Sequence, residues 1–279
     1  MKVGVLVEIF ADTDIDSKFV EVSHMEIESI QLVTWNRQAL TDEVAAEVNE
    51  AAAKHGIHIT AFWCGWEGPK TWDFYDGPIT LGLIPEAYRF ERLKMILEGC
   101  DFAGKINVRD VITHVGFMPE NPNDPKYMEI ISVIKVIAKK CKERHQNFLF
   151  ETGQETPVVL MRAIEDIGMD NVGINLDPAN LIMYGKGNPV DALDVFGQYV
   201  WGVHGKDGCY PTDGYHLGKE TPLGEGAVNY DLFIAKLKAV GYQGDITIER
   251  EISGSKQKED ILHAKKILES LIRTTWGCE

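Results

Sequence analysis

Four stretches of the chain carry a carboxylate or an imidazole to the end of a short apolar run. FLFE closes on Glu151, VGINLD on Asp177, WGVH on His204 and ITIE on Glu249. Along an extended strand, alternate side chains face opposite sides. Asn175 and Asp177 therefore share one face of their run, against Val172, Ile174 and Leu176 on the other. Thr247 and Glu249 oppose Ile246 and Ile248 in the same way, and His204 and Lys206 align with Gly202. Taken singly, an acid in such a place is equally at home as a helix N-cap or a surface partner. Three acids and one imidazole in one cramped, partly dry space repel one another unless a positive charge sits among them. A divalent cation removes that conflict. The oxygen-rich set suits Mn²⁺, Mg²⁺ or Co²⁺ better than a closed thiolate zinc site. Free positions on such an ion would polarise neighbouring oxygens of a substrate.

Regular elements must hold these side chains in register. Short apolar or β-branched runs at 2–9, 29–34, 58–64, 109–115, 147–151, 172–177, 200–205 and 245–250 alternate with stretches of helical periodicity. Residues 42–55, closed by Gly56, and 127–145 are two such helices. Eight strand–helix units predict an α/β fold, a (β/α)8 TIM barrel forming one domain over 1–279, with the four candidate ligands at the C-terminal mouth. A doubly wound open sheet is the alternative, but no GxGxxG opens a helix after the first strand.

Two connections are long and rich in Gly, Pro and aromatic residues: one begins at Gly65 after the third strand, the other at Gly208 after the seventh. Loops of that length in a compact domain serve as lids or binding loops. Trp63, Trp66, Trp72, Phe74 and Tyr75 offer an apolar platform there, with Trp66 expected to touch substrate; the competing reading places them in the core. His114, ending the fourth run, is a pocket residue or a satisfied core histidine, and Glu8 ends the first run in the same fashion. Asn180 reads as a contact to a substrate hydroxyl. Lys206 is either a fixed cation for a developing enediolate or an ion-pair partner of Asp207 or of a ligand carboxylate. The stretch ISGSK at 252–256 offers a weak phosphate site. His24, His55, His145 and His263 are expected to be solvated.

The formal net charge of −15 excludes a phosphate-backbone binder, so no nucleic-acid partner is expected. Five scattered cysteines, Cys64, Cys100, Cys141, Cys209 and Cys278, form no CxxC or finger spacing, which fits a reducing compartment. No run has the length of a membrane span, and the N-terminal VGVLVEIF, which carries Glu8, is too short for a signal-peptide core. A cytoplasmic homo-oligomer, a dimer or tetramer, is expected.

Across essentially its whole length the chain resembles the sugar phosphate isomerase/epimerase group of xylose isomerase-like TIM barrels. The tail PLGEGAVNYDLFIAKLKAVGYQGDITIERE is similar to that family's Gly-Glu-Gly turn, helix, Gly-Tyr-x-Gly turn and final ligand-bearing strand. The resemblance implies one divalent ion, often Mn²⁺, on Glu151, Asp177, His204 and Glu249, with Glu151 and Glu249 also acting as acid and base on opposite faces of a small sugar. It departs from the ketose 3-epimerases at Asn180, where a His is common, and at the loop after His204, which holds Lys206 and no Arg. The expected reaction is ketose C3 epimerisation through a cis-enediolate, or aldose–ketose isomerisation, with β-elimination from a 3-keto-glycoside as the alternative. A DNA-repair endonuclease of the same superfamily would need more His ligands and a basic groove, and a silent sugar-binding barrel would not need two glutamates.

Overall fold

The eight strands close into a parallel barrel in the computed structural model, which describes residues 1–277. In chain order they are β1 (Val3–Glu8), β2 (Ser29–Thr34), β3 (His58–Cys64), β4 (Asp110–Thr113), β5 (Asn147–Glu151), β6 (Val172–Leu176), β7 (Val200–Gly205) and β8 (Ile246–Ile248), with β8 returning to pair with β1. Each expected strand is present within a few residues, and the architecture is the (β/α)8 barrel in a single domain. The expected helix over 42–55 forms as Asp42–His55, capped at its start by Thr41 and ended by Gly56 in the left-handed conformation. The expected helix over 127–145 begins earlier, at Pro125, because Asp124 caps it and proline suits the first turn. No described helix is long and apolar enough to cross a membrane.

Two apolar compartments follow from the strand alternation. The larger fills the layer between barrel and helices. A smaller one, Val33, Ala61, Trp63, Ile112 and Leu149 with Leu6, Trp35 and Trp201 against it, occupies the barrel interior. Register links the inward positions across strands: Glu8 with Val33, Trp63 with Ile112, Glu151 with Asn175 and His204 with Thr247. The inward set is therefore apolar at Val33, Ala61, Trp63, Ile112 and Leu149 and polar at Gln31, Asn175 and Thr247, all of them buried.

At β6 and β7 the register slips, pairing Ile174 with Val200 but Asn175 with Gly202. Gly202 is required there, since a Cβ would stand 2.2 Å from Asn175 Oδ1. The missing side chain lets the Asn175 amide cross the barrel toward Gln31.

Candidate metal centre

Glu151, Asp177, His204 and Glu249 come together at the ends of β5, β6, β7 and β8, one ligand atom from each lying within 4.8 Å of the others. His204 Nδ1 is 3.1 Å from Glu249 Oε2, 3.3 Å from Glu151 Oε1 and 3.8 Å from Asp177 Oδ2. Glu151, Asp177 and His204 are fully buried, while Glu249 keeps a partly exposed edge.

The orientation of each group follows from a chain of hydrogen bonds that starts at a carboxylate. Glu151 Oε2 accepts from Asn175 Nδ2 at 2.6 Å and more weakly from Trp63 Nε1 at 3.4 Å. With its amide nitrogen so engaged, Asn175 turns Oδ1 to accept from Gln31 Nε2 at 3.0 Å. Gln31 Oε1 is then left to accept from His204 Nε2 at 2.8 Å. Donation through Nε2 aims Nδ1 at the three acids; burial opposes its charge, but Glu151 and Glu249 beside it raise the imidazole well above its usual range, so Nδ1 carries a proton that a metal cation would replace. Asp177 divides its duties: Oδ1 accepts from Asn180 N at 3.0 Å, capping the short helix Pro178–Met183, and Oδ2 faces the cluster. The capping reading holds through Oδ1, and Oδ2 is left free to meet an ion.

Three inward atoms, Glu151 Oε1, Asp177 Oδ2 and His204 Nδ1, are buried with no hydrogen-bond partner among the described residues. Leaving such atoms bare costs about 1–3 kcal/mol each, more when charged. Their convergence on one point fits a divalent cation, and the three oxygens and one nitrogen suit a hard or borderline ion. Burial raises the Glu151 carboxyl to about 7. Burial acts on Glu249 in the same sense, but Lys206 and His204 beside it outweigh that and pull it well below the usual carboxylate range.

Lys206 is buried and does not pair with Asp207. Its Nζ lies 3.2 Å from Glu249 Oε2 and 3.1 Å from Glu251 Oε1. Asp207 turns the other way and accepts from the backbone N–H groups of Gly208, Gly224, Gly226 and Val228 at 2.8–3.0 Å, which fixes the Gly-Glu-Gly turn. Asn180 is a brace in this geometry, its amide donating to Thr152 O and its Oδ1 accepting from Lys206. His114 is buried beside the centre, its ring 5.5 Å from Trp63 and 5.2 Å from Trp72, with Nδ1 unpartnered and burial lowering it to about 3. Glu8 stands at the rim, exposed, with Lys18 and Lys70 as its nearest counter-charges rather than the cluster.

Trp66 departs from expectation. It is 0% exposed, donates Nε1 to His114 O and carries the Arg92 guanidinium on its face at 4.1 Å, so its surface is spent inside the loop. Trp72, at 38% exposed, is the tryptophan that reaches the mouth. The two long loops meet above it: Phe74 N donates to Tyr215 O at 2.9 Å, Asp73 and His216 form an antiparallel bridge, and the Tyr75 and Tyr215 rings lie 6.2 Å apart. β3 and β7 stand on opposite sides of the barrel, so the loops span the mouth. Lys256 of the ISGSK stretch is already paired with Asp260 at 2.8 Å. His24, His145 and His263 are exposed as expected, whereas His55 is half-buried and bonded to Asp16 at 2.8 Å. Cys64, Cys100, Cys141 and Cys209 are free thiols, and Cys278 lies outside the described residues.

A closed parallel barrel with a buried Glu, Asp, His and Glu group at its C-terminal mouth defines the class, and comparison with known proteins places the chain within it. Residues 19–271 match the xylose isomerase-like TIM barrel family model, and the chain belongs to that family. It is similar to a xylose isomerase domain protein from Planctomyces limnophilus, at 30% identity and TM-score 0.92 over 100% of both chains. It also shares its fold with a 3-keto-D-glucoside 4-epimerase from E. coli, at 16% identity and TM-score 0.71 over 97% of this chain and 99% of the other. A D-psicose 3-epimerase crystallised in the presence of D-fructose gives 14% identity and TM-score 0.70 over 100% of both.

Proposed function

We propose that the protein is a divalent-metal-dependent sugar epimerase or isomerase, with C3 epimerisation of a small ketose as its reaction. The convergence of Glu151 Oε1, Asp177 Oδ2 and His204 Nδ1, buried and unpartnered, carries this reading. These residues and Glu249 would hold a divalent ion, Mn²⁺ first, which would supply Lewis acidity to the carbonyl and neighbouring hydroxyl oxygens of the sugar. Glu151 and Glu249 stand on β5 and β8, separated around the mouth by β6 and β7, so they approach a bound sugar from different sides. One removes the proton from the carbon beside the carbonyl, and the electron pair left behind gives the cis-enediolate. The other returns a proton to the opposite face, inverting that carbon. His114 and Trp72 line the side facing the glutamates, and the joined loops above them exclude water. The free thiols fit a cytoplasmic setting.

The wall of Trp35, Trp63 and Trp72, with neighbouring ring centroids 4.9–6.0 Å apart, favours one alternative, β-elimination from a 3-keto-glycoside whose aglycone rests on those rings. The deciding experiment incubates the protein, stripped and then reloaded with Mn²⁺, Mg²⁺ or Co²⁺, with D-fructose, D-tagatose, D-psicose and a chromogenic 3-keto-glucoside. Metal-dependent interconversion of ketoses supports the epimerase, and release of the chromophore supports the lyase. Full turnover after exhaustive chelation, with no metal found by elemental analysis, would sink the metal reading.

A further inference from the structure

Lys206 brings a buried ammonium into the carboxylate cluster, and neither the ligand set nor the two glutamate acid–base groups account for it. Its Nζ lies 3.2 Å from Glu249 Oε2 and 3.6 Å from Asp177 Oδ2, two oxygens that face the centre. On its other side stand Glu251 Oε1 at 3.1 Å and Asn180 Oδ1 at 3.4 Å. Glu251 lies two residues beyond the last ligand, with its side chain 58% exposed and its backbone N–H held by the Glu220 carboxylate. Tyr230 Oη donates to Lys206 O at 2.7 Å, so the backbone is pinned and adjustment falls to the flexible four-carbon stem.

An ammonium and a divalent cation drawing on the same two carboxylates repel each other, and in a buried site that repulsion is little screened. Asp177 Oδ2 has no hydrogen-bond partner among the described residues, so the ammonium lies within coulombic range of it without being tied to it. Glu251 supplies a second negative charge within reach of the same Nζ but turned away from the ligand group.

We propose that Lys206 is a tethered counter-cation that shares Asp177 and Glu249 with the divalent ion, and that Glu251 takes up its charge when the ion holds those carboxylates. Lys206 and Glu251 are thus positioning residues that set the affinity of the centre. The proposal rests on the metal reading above.

A double-mutant cycle tests it, with Mn²⁺ alone as the probe and calorimetric Kd as the readout, on the full chain as wild type, Lys206→Met, Glu251→Gln and the double variant. Removing the competing cation should tighten Mn²⁺ binding by on the order of tenfold or more. Glu251→Gln should weaken binding in the wild-type background by roughly three- to tenfold, because Lys206 then has only the ligand carboxylates to pair with. The same change should be silent, within about twofold, once Lys206 is Met. An equal loss from Glu251→Gln in both backgrounds means simple through-space charge and overturns the proposal, as does a Lys206→Met variant that binds no tighter. Should Lys206→Met not fold, Lys206→Gln, which keeps a polar head, replaces it in the cycle with the same expectations. Absence of Mn²⁺ binding in wild type and every variant overturns the metal reading itself and this proposal with it, an outcome distinct from normal wild-type binding with an additive cycle.

Discussion

Gln31→Met is the perturbation that bears most on how the centre is built, because it touches no ligand atom. Gln31 is buried and joins two groups, accepting from His204 Nε2 at 2.8 Å and donating to Asn175 Oδ1 at 3.0 Å. Methionine has similar length and volume, so cavity terms are small, but it supplies neither the strong acceptor nor the donor. Two buried polar atoms are then orphaned at about 1–3 kcal/mol each, for a loss of roughly 2–6 kcal/mol in stability. The imidazole also loses the partner that aims its Nδ1 inward, and loss of such an outer partner weakens metal binding about 10- to 100-fold. Chemical denaturation without metal and calorimetric titration with Mn²⁺ measure the two effects separately. Gln31→Glu is the companion variant, since it restores an acceptor for His204 but has no donor for Asn175. It should recover much of the metal affinity and less of the stability. A Gln31→Met protein with wild-type Mn²⁺ affinity would refute the orientation argument, whatever its stability.

Glu155 is buried with neither carboxylate oxygen partnered among the described residues, and burial raises it from 4.5 to about 8. The folded chain therefore keeps a proton that the unfolded chain releases, so stability is full below about pH 4.5 and falls as pH climbs through 8, by on the order of 3–5 kcal/mol. Glu155→Gln stays neutral and should flatten the fall in Tm between pH 5 and pH 8; parallel profiles for the two proteins would contradict the sign. Trp66→Ala should cost about 3–5 kcal/mol of stability, as a buried aromatic does. Trp72→Ala should leave stability within about 1 kcal/mol and raise the apparent KM; the reverse pattern would put Trp66 in the pocket and Trp72 in the core.

The barrel and the convergence of Glu151, Asp177, His204 and Glu249 were readable from sequence because strand parity is rigid: once a run is extended, every second side chain is committed to one face. Parity also carried the signal for Gln31, a lone amide between Ile30 and Leu32 in SIQLVT, and for Asn175, on the same face as Asp177. Neither was singled out, because what they do depends on meeting each other across the barrel. Parity ends where a strand ends. Trp66 lies two residues past β3, where alternation no longer says which way a side chain turns, and the partner on its face, Arg92, comes from a helix 26 residues on. Lys206, one residue past β7, was placed on the correct face, but Glu251 lies beyond β8 and their contact is tertiary. The preference of Asp207 for four backbone N–H groups over Lys206 likewise depends on a turn folded back from residues 224–228.

Proton transfer between Glu151, Glu249 and a sugar carbon is the central claim, and turnover in D₂O measures it directly. With Mn²⁺ and a ketose that the protein converts, deuterium should enter the carbon beside the carbonyl as product forms, read by NMR or mass spectrometry. Glu151→Gln and Glu249→Gln, which keep an oxygen but lose the basic carboxylate, should each lower conversion by about 10²- to 10⁴-fold. One of the two should still exchange deuterium into a single epimer that it cannot invert, because removal and return on one face survive. Product formed at the wild-type rate with no solvent deuterium at that carbon would contradict the account and point to direct hydride transfer between carbons.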